Sequence, residues 1–229
     1  MFERLERIIG KENLDKLSKV TVMVIGLGGV GGYVVESLAR SNITNFIVID
    51  KDKVDVTNKN RQIIALDSTI GKNKTDVVKE RLLDINKEIN VIPLSIFLDN
   101  TNTKEIIEEY KPDYVIDCCD TVTTKLEIIK TCLNNNIKFI SCMGTGNKFD
   151  PSKLKITDIK KTDTDPLCKV MRKLVKENNL KGKIEVLWSS ELPVRTNTRT
   201  PGSTSFVPPS AGLLIASHVF KNIINNDIM

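Results

Sequence analysis

The sequence predicts a doubly wound α/β architecture: a mostly parallel sheet with helices on both faces, followed by a C-terminal strand and helix extension. Three observations point to it. Apolar runs of strand length alternate with helical periods as far as Cys142. The strand runs are apolar throughout, the pattern of strands buried on both faces. The first run ends in a glycine loop, Gly26-Leu-Gly-Gly-Val-Gly31, that opens a helical segment, which makes the sheet Rossmann-like.

The elements follow in order. Phe2 to Leu17 spaces Leu5, Ile8, Ile9 and Leu14 at helical intervals. Val20 to Ile25 is the first strand and about Gly29 to Arg40 the first helix of the sheet, with Phe46 to Asp50 the second strand. Lys72 to Asn86 reads as helix, Asn90 to Phe97 as strand, Thr103 to Tyr110 as helix and Asp113 to Cys118 as strand. Thr121 to Asn135 is helical again, and Ile137 to Cys142 is the fifth strand.

The pattern changes near Gly144. Lys153 to Ile159 and Lys183 to Ser189 read as strands flanking a helix that starts near Asp165-Pro166. Residues 195–209 are rich in Thr, Ser and Pro and read as a loop. Ser210 to Ile224 closes the chain as an apolar helix. With no repeat and no linker, 229 residues read as one domain: an N-terminal helix over 1–18, a nucleotide-binding core over 19–150 and an extension over 151–229.

Composition narrows the class modestly. A formal net charge of +5 is compatible with an anionic partner and equally with a solvated lysine surplus. None of the five cysteines forms a C-x-x-C pair, which argues against a zinc site of the usual spacing. Their odd count and apolar settings, with no apolar stretch long enough for a signal peptide or membrane span, predict a soluble cytoplasmic protein with reduced thiols and no membrane association.

Gly26, Gly28 and Gly31 have the G-x-G-x-x-G spacing between strand and helix, with Gly29 inside the same turn. The first allows the tight turn, the second lets backbone approach phosphate, and the third permits close helix–strand packing at a helix N-terminus that favours anions. Asp50, at the next strand end, is placed to bind ribose hydroxyls, and Asp52 follows it. This much fits NAD as well as ATP. Asn58, Asn60, Arg61 and Gln62 come within a dozen residues, and Lys74 opens the following helix. Such a concentration of amides and cations suits a polyphosphate better than a nicotinamide dinucleotide, although the chain is rich in Asn and Lys throughout.

Asp117 and Asp120 flank Cys118-Cys119 at a strand's carboxyl end, where open α/β sheets bind ligands. Carboxylates there suit Mg²⁺ held against phosphate oxygens, with Asp120 the stronger candidate. Asp117 bonding to backbone and Asp120 capping the helix from Thr121 are the structural alternatives. The lone histidine, His218, sits in the apolar last helix and reads as structural, so no thiolate–imidazole pair can be built.

With these residues in view, the chain resembles the ubiquitin-activating-enzyme-like adenylyltransferases, the ThiF/MoeB/HesA group. Gly26 to Gly32, Asp50, Asn58-Lys-Asn-Arg-Gln62, Lys74 and Asp117-Cys-Cys-Asp120 carry the likeness. Thr57 to Ile63, Thr157 to Thr162, Asp165-Pro-Leu167 and Ala216 to Phe220 narrow it to the branch that dehydrates threonylcarbamoyladenosine in tRNA.

The resemblance implies ATP and Mg²⁺ as cofactors and tRNA as substrate. The substrate carboxylate attacks the α-phosphate, pyrophosphate leaves, and the neighbouring urea-type group closes on the acyl-adenylate, expelling AMP. It implies that the glycines and Asp50 hold adenosine and phosphates, and that Asn58, Arg61, Lys74 and, more weakly, Gln62 neutralise the triphosphate. Asp120 would bind Mg²⁺. Arg4, with Arg7 second, would reach the partner's site in a homodimer, and redox or sulfurtransfer proteins would be further partners. Lys160, Lys161, Arg172 and Lys173 are candidate tRNA phosphate contacts and equally fit solvated surface side chains. The rival within the group, an enzyme activating a ubiquitin-like or sulfur-carrier protein, typically carries paired C-x-x-C motifs that are absent here. An NAD-dependent oxidoreductase and a non-catalytic nucleotide-binding module are the rivals outside it.

Overall fold

The computed structural model describes residues 1–198 and 200–224. The loop expected over 195–209 includes Arg199, and the extension expected to residue 229 includes 225–229; those positions lie outside the described residues. The chain runs α1 (Glu3–Lys19), β1 (Thr21–Ile25), α2 (Gly31–Ala39), β2 (Asn45–Ile49), α3 (Lys74–Ile85), β3 (Asn90–Leu94), α4 (Thr103–Tyr110), β4 (Tyr114–Asp117), α5 (Val122–Asn134), β5 (Lys138–Cys142), β6 (Leu154–Asp158), α6 (Pro166–Glu177), β7 (Glu185–Ser189) and α7 (Val207–Ile224). Short 3-10 turns at Val56–Asn58, Pro151–Lys153 and Ile159–Lys161 punctuate the loops.

The seven strands form one sheet in the order β3-β2-β1-β4-β5-β7-β6. Only the β6–β7 pair is antiparallel, so the expected mostly parallel, doubly wound sheet is present. Alternate residues of β1 face opposite cores: Val22 and Val24 pack with Leu17, Val34, Val77 and Ile215 on one side. Met23 and Ile25 pack with Ile107, Ile128 and Met171 on the other. Burial on both faces is why these strands read as unbroken apolar runs. The extension completes the same sheet, because β7 pairs with β5 and carries β6 at the edge.

Three boundaries differ from expectation, each for a physical reason. The strand expected through Phe97 stops at Leu94, and Ile96 and Phe97 instead wall a cleft. The last helix begins at Val207, so Pro208 and Pro209 lie in its first turn, where a missing N–H costs no intrahelical bond. The helix after Asp120 is capped at Thr121, and without a side-chain hydrogen bond. Among the described residues, no helix is long and apolar enough to cross a membrane.

Two buried ion pairs tie the sheet's carboxyl ends to the helices. Lys125, on α5, and Asp117, ending β4, are both fully buried and 3.0 Å apart. The Lys125 ammonium also donates to the Cys142 carbonyl at 2.7 Å, and Ser141 Oγ donates to Asp117 at 2.5 Å. Burial would lower the lysine's pKa, but the Asp117 charge raises it well above the ordinary value. Lys148 likewise bonds Asp165 and the Gly144 carbonyl, each at 2.6 Å. Removing one partner of such a pair leaves an uncompensated buried charge, which costs about 3–5 kcal/mol. Lys125→Met should therefore lower unfolding free energy in urea by roughly that amount, and Asp117→Leu in the same chain should recover most of it. Equal stability of wild type and Lys125→Met would refute this.

Candidate active site

In the strand order, β2 lies on one side of β1 and β4 on the other, so the loops leaving their carboxyl ends diverge and open a crevice. It is a cavity of about 690 Å³. Gly26, Gly28 and Gly29 form its floor, and Asp50, Asp52 and Lys74 one flank. Asn58, Arg61 and Gln62 line it from the polar loop, and Asp120 from the opposite wall. Of the residues read from the sequence, Gly31, Asn60, Arg4, Arg7 and Asp117 do not line the cleft.

The glycine loop is shaped by close approach. Gly26 has φ +88°, and a Cβ there would lie 2.8 Å from the Cys118 carbonyl. A Cβ on Gly31 would lie 1.8 Å from the Gly26 carbonyl oxygen, so this third glycine serves packing of α2 on the loop rather than ligand contact. α2 starts without a side-chain cap; the Gly32 and Tyr33 N–H groups bond the Gly28 and Val30 carbonyls, and the Gly31 N–H, at the positive end of the helix, has no backbone partner among the described residues.

Asp50 organises the loop beside it. Its Oδ2 accepts the Leu27 N–H at 2.7 Å, and its Oδ1 accepts the Asp52 N–H at 2.8 Å. Lys74, only 5 % exposed, sits 3.6 Å from Asp50 and 3.1 Å from Asp52. The Lys74 N–H also donates to the Asp52 carbonyl, so the first turn of α3 is fixed to the strand end. Asp52 thus holds the lysine that faces the cleft.

The polar loop is held by its own capping box, Asp55 with Asn58, and the Asn58 carbonyl accepts the Arg61 and Gln62 N–H groups. Arg61 Nη1 donates to the Thr57 carbonyl at 3.1 Å and to Asn60 Oδ1 at 2.8 Å. Asn60 in turn donates to the Ser203 carbonyl at 3.0 Å, so it positions Arg61 and anchors the C-terminal loop. Gln62 is buried and its Oε1 has no partner among the described residues, which leaves an acceptor in the cleft wall.

On the opposite wall, Asp117 gives its oxygens to Lys125, Ser141 and the Cys119 N–H and does not line the cleft. Its role is structural, as the backbone-bonding alternative held. Asp120 is the reverse case: exposed in the cleft, it caps nothing and has no hydrogen-bond or ion-pair partner among the described residues. The capping reading is therefore corrected.

Cys118, Cys119 and Cys142 line the cleft, but burial raises all three thiols, Cys142 to about 12, so none is a ready nucleophile. His218 bonds Glu185 at 2.9 Å at the amino end of β7, away from these carboxyl ends, in keeping with its structural reading.

Several lining residues had no legible motif. Ile96, Phe97 and Leu98 form an apolar wall, with the Lys51 ammonium 4.6 Å from the Phe97 ring centroid. Met143, Gly144 and Leu167 close one end, and Pro201, Gly202 and Ser203 close the mouth. Among the described residues no group of three or more His, Cys, Asp or Glu side chains could hold a metal alone. A single free carboxylate beside phosphate oxygens is nevertheless the usual manner of binding Mg²⁺, and Asp120 fits that role.

The ThiF family model matches residues 2–227. The tRNA threonylcarbamoyladenosine dehydratase of Bacillus subtilis (strain 168) is 41% identical, over 98% of this chain and 95% of its own. The structure of Escherichia coli tRNA N6-threonylcarbamoyladenosine dehydratase in complex with ATP superposes with a TM-score of 0.91 at 33% identity, covering 97% of this chain and 93% of that one. The Escherichia coli (strain K12) molybdopterin-synthase adenylyltransferase is more distant, 28% identical over 72% of this chain and 64% of its own.

Lys74 gives the sharpest binding test of the cleft. A charge-assisted bond of about 1.5–3 kcal/mol corresponds to a roughly 10- to 100-fold change in affinity. Lys74→Met should weaken ATP binding by that factor in calorimetric titration, and unaltered affinity would remove Lys74 from the phosphate site.

Proposed function

Because the chain belongs to the ThiF family, we propose that it adenylates a carboxylate with ATP, and that this carboxylate belongs to threonylcarbamoyladenosine in the tRNA anticodon loop. The reaction is an ATP-driven dehydration. A carboxylate oxygen bonds to the α-phosphorus, the bond to the bridging oxygen breaks, and pyrophosphate leaves. The urea-type group of the same modification then attacks the activated carbonyl, loses its proton and expels AMP. The substrate loses one water and becomes cyclic.

The chain's residues support each part by position. The glycine loop and the N-terminus of α2 receive phosphate, and Asp50 retains lone pairs for ribose hydroxyls beyond its two N–H bonds. Ile96 to Leu98 offer an apolar surface to adenine. Arg61 and Lys74 offset the charge that builds up as pyrophosphate departs, a task of electrostatics and positioning. Asp120 would hold Mg²⁺, which would supply charge neutralisation at the phosphate oxygens.

No enzyme nucleophile is required, consistent with thiols whose burial raises them. The same feature disfavours a carrier-protein activating enzyme that needs a transfer cysteine. Arg4 is exposed on α1 and does not line the cleft of its own chain, as suits an arginine that completes a second copy's cleft in a homodimer. One observation carries the reading most directly: an unpartnered Asp120 carboxylate shares the cleft with the Asp50–Lys74 pair and the glycine loop.

Mass spectrometry of nucleosides from threonylcarbamoyladenosine-bearing tRNA, incubated with ATP and Mg²⁺, tests it. The expected product is the nucleoside lighter by one water; intact tRNA despite bound ATP would contradict it. Asp120→Asn should lower turnover at least ~10²-fold, as loss of a transition-state electrostatic contact does, with an unchanged melting temperature. Cys118→Ala and Cys119→Ala should each keep most activity, and a dead Cys119→Ala enzyme with a wild-type melting curve would restore a catalytic thiol.

A further inference from the structure

The net positive charge of this chain is concentrated in one stretch. Residues 153–183 hold ten lysines and arginines against four aspartates and glutamates, a surplus of six, whereas the whole chain has a surplus of five. Everything outside this stretch is therefore slightly acidic in sum. A lysine excess spread over a solvated surface would not concentrate in this way.

The fold then sorts these charges onto a face. In α6, Cys168, Met171 and Val175 are buried against the sheet, and Lys169, Lys173 and Lys176 project from the exposed side at i, i+4 and i+7 spacing. Arg172 donates to the Thr162 carbonyl at 2.8 Å and to the Thr162 hydroxyl, which fastens the 3-10 turn carrying the exposed Lys160 and Lys161 beside the helix. The acids are largely spent within the fold: Asp165 caps α6 and pairs with buried Lys148, and Asp158 caps the 3-10 turn. Asp163 is an exposed carboxylate within the strip, and Glu177 pairs at 3.6 Å with Lys173.

The strip starts at the cleft. Leu167, in the first turn of α6, lines it, and the Lys148–Asp165 pair bonds the cleft-lining Gly144 carbonyl. A polyanion lying on α6 would thus enter the cleft from its Gly144–Leu167 end. The stretch has no aromatic residue, and protein interfaces favour aromatics and disfavour lysine. Point-charge lysines on a regular helix suit a phosphate backbone instead, which positions an RNA without reading its sequence.

We propose that the face formed by the Ile159–Lys161 turn and α6 docks the phosphate backbone of the RNA substrate, with Lys160, Lys161, Lys169 and Lys173 as its contacts. This rests on the tRNA reading above, and the test separates the two. Binding of the tRNA is followed by fluorescence anisotropy over a series of salt concentrations, for wild type, Lys169→Glu/Lys173→Glu and a control of equal charge change, Lys79→Glu/Lys87→Glu, on and just beyond α3.

The docking face predicts at least a tenfold loss of tRNA affinity in the α6 variant, and a salt dependence shallower by about two units of slope, one per lost phosphate contact. ATP affinity and melting temperature stay at wild-type values, and the control binds nearly as wild type does. Equal losses in both variants, or none in the α6 variant, overturn the docking face and leave it to an acidic protein partner. Binding that follows the predicted pattern while wild-type enzyme leaves the nucleoside undehydrated would instead refute the reaction and keep the RNA surface.

Discussion

The site depends first on the carboxylate of Asp50. It follows β2, one residue beyond the Ile25–Ile49 pairing, and so reaches the Leu27 N–H in the loop leaving β1. The same group accepts the Asp52 N–H and pairs with Lys74 at the start of α3. One side chain therefore sets the glycine loop, the turn after β2 and the cation facing the phosphates. Charge-assisted bonds of this kind are stronger than neutral ones, and the small exposure of Lys74 limits their screening. Without the register of two parallel strands, none of these groups would meet.

The opposite wall separates two aspartates three residues apart. Asp117 is consumed by the fold: its oxygens hold Lys125, Ser141 and the Cys119 N–H, and through them β4, β5 and α5. That bond to Cys119 shapes the turn after which Asp120 emerges, uncommitted, into the cleft. A scaffold that satisfies one carboxylate fully can leave the next free for chemistry, and position it without a flexible arm. Between the two walls the cleft has fixed cations on one side and a free anion on the other, an arrangement that suits a metal-bound polyphosphate.

Much of this was legible in the chain because local patterns and global fold agree. The run Val20 to Ile25, the glycines and Asp50 lie within one β-turn-α-β unit, so spacing alone brings them together. What escaped reading depends on contacts distant in sequence. Asn60 meets Ser203 across 143 positions, and nothing near Pro201 announces a cleft wall. Asp117 and Asp120 have the same residue type and the same neighbourhood in sequence. Only the Lys125 ammonium, brought back by α5, tells structure from chemistry. The burial of Gln62 and the early start of α7 at Val207 follow equally from tertiary packing.

A carboxylate oxygen of the tRNA modification that bonds to the α-phosphorus of ATP must leave with AMP. Label that carboxylate with oxygen-18, run the reaction to completion and weigh the nucleotide products. The expected products are AMP carrying one labelled oxygen and unlabelled pyrophosphate. Label in inorganic phosphate with ADP as the partner product, or AMP with no label at all, would contradict it.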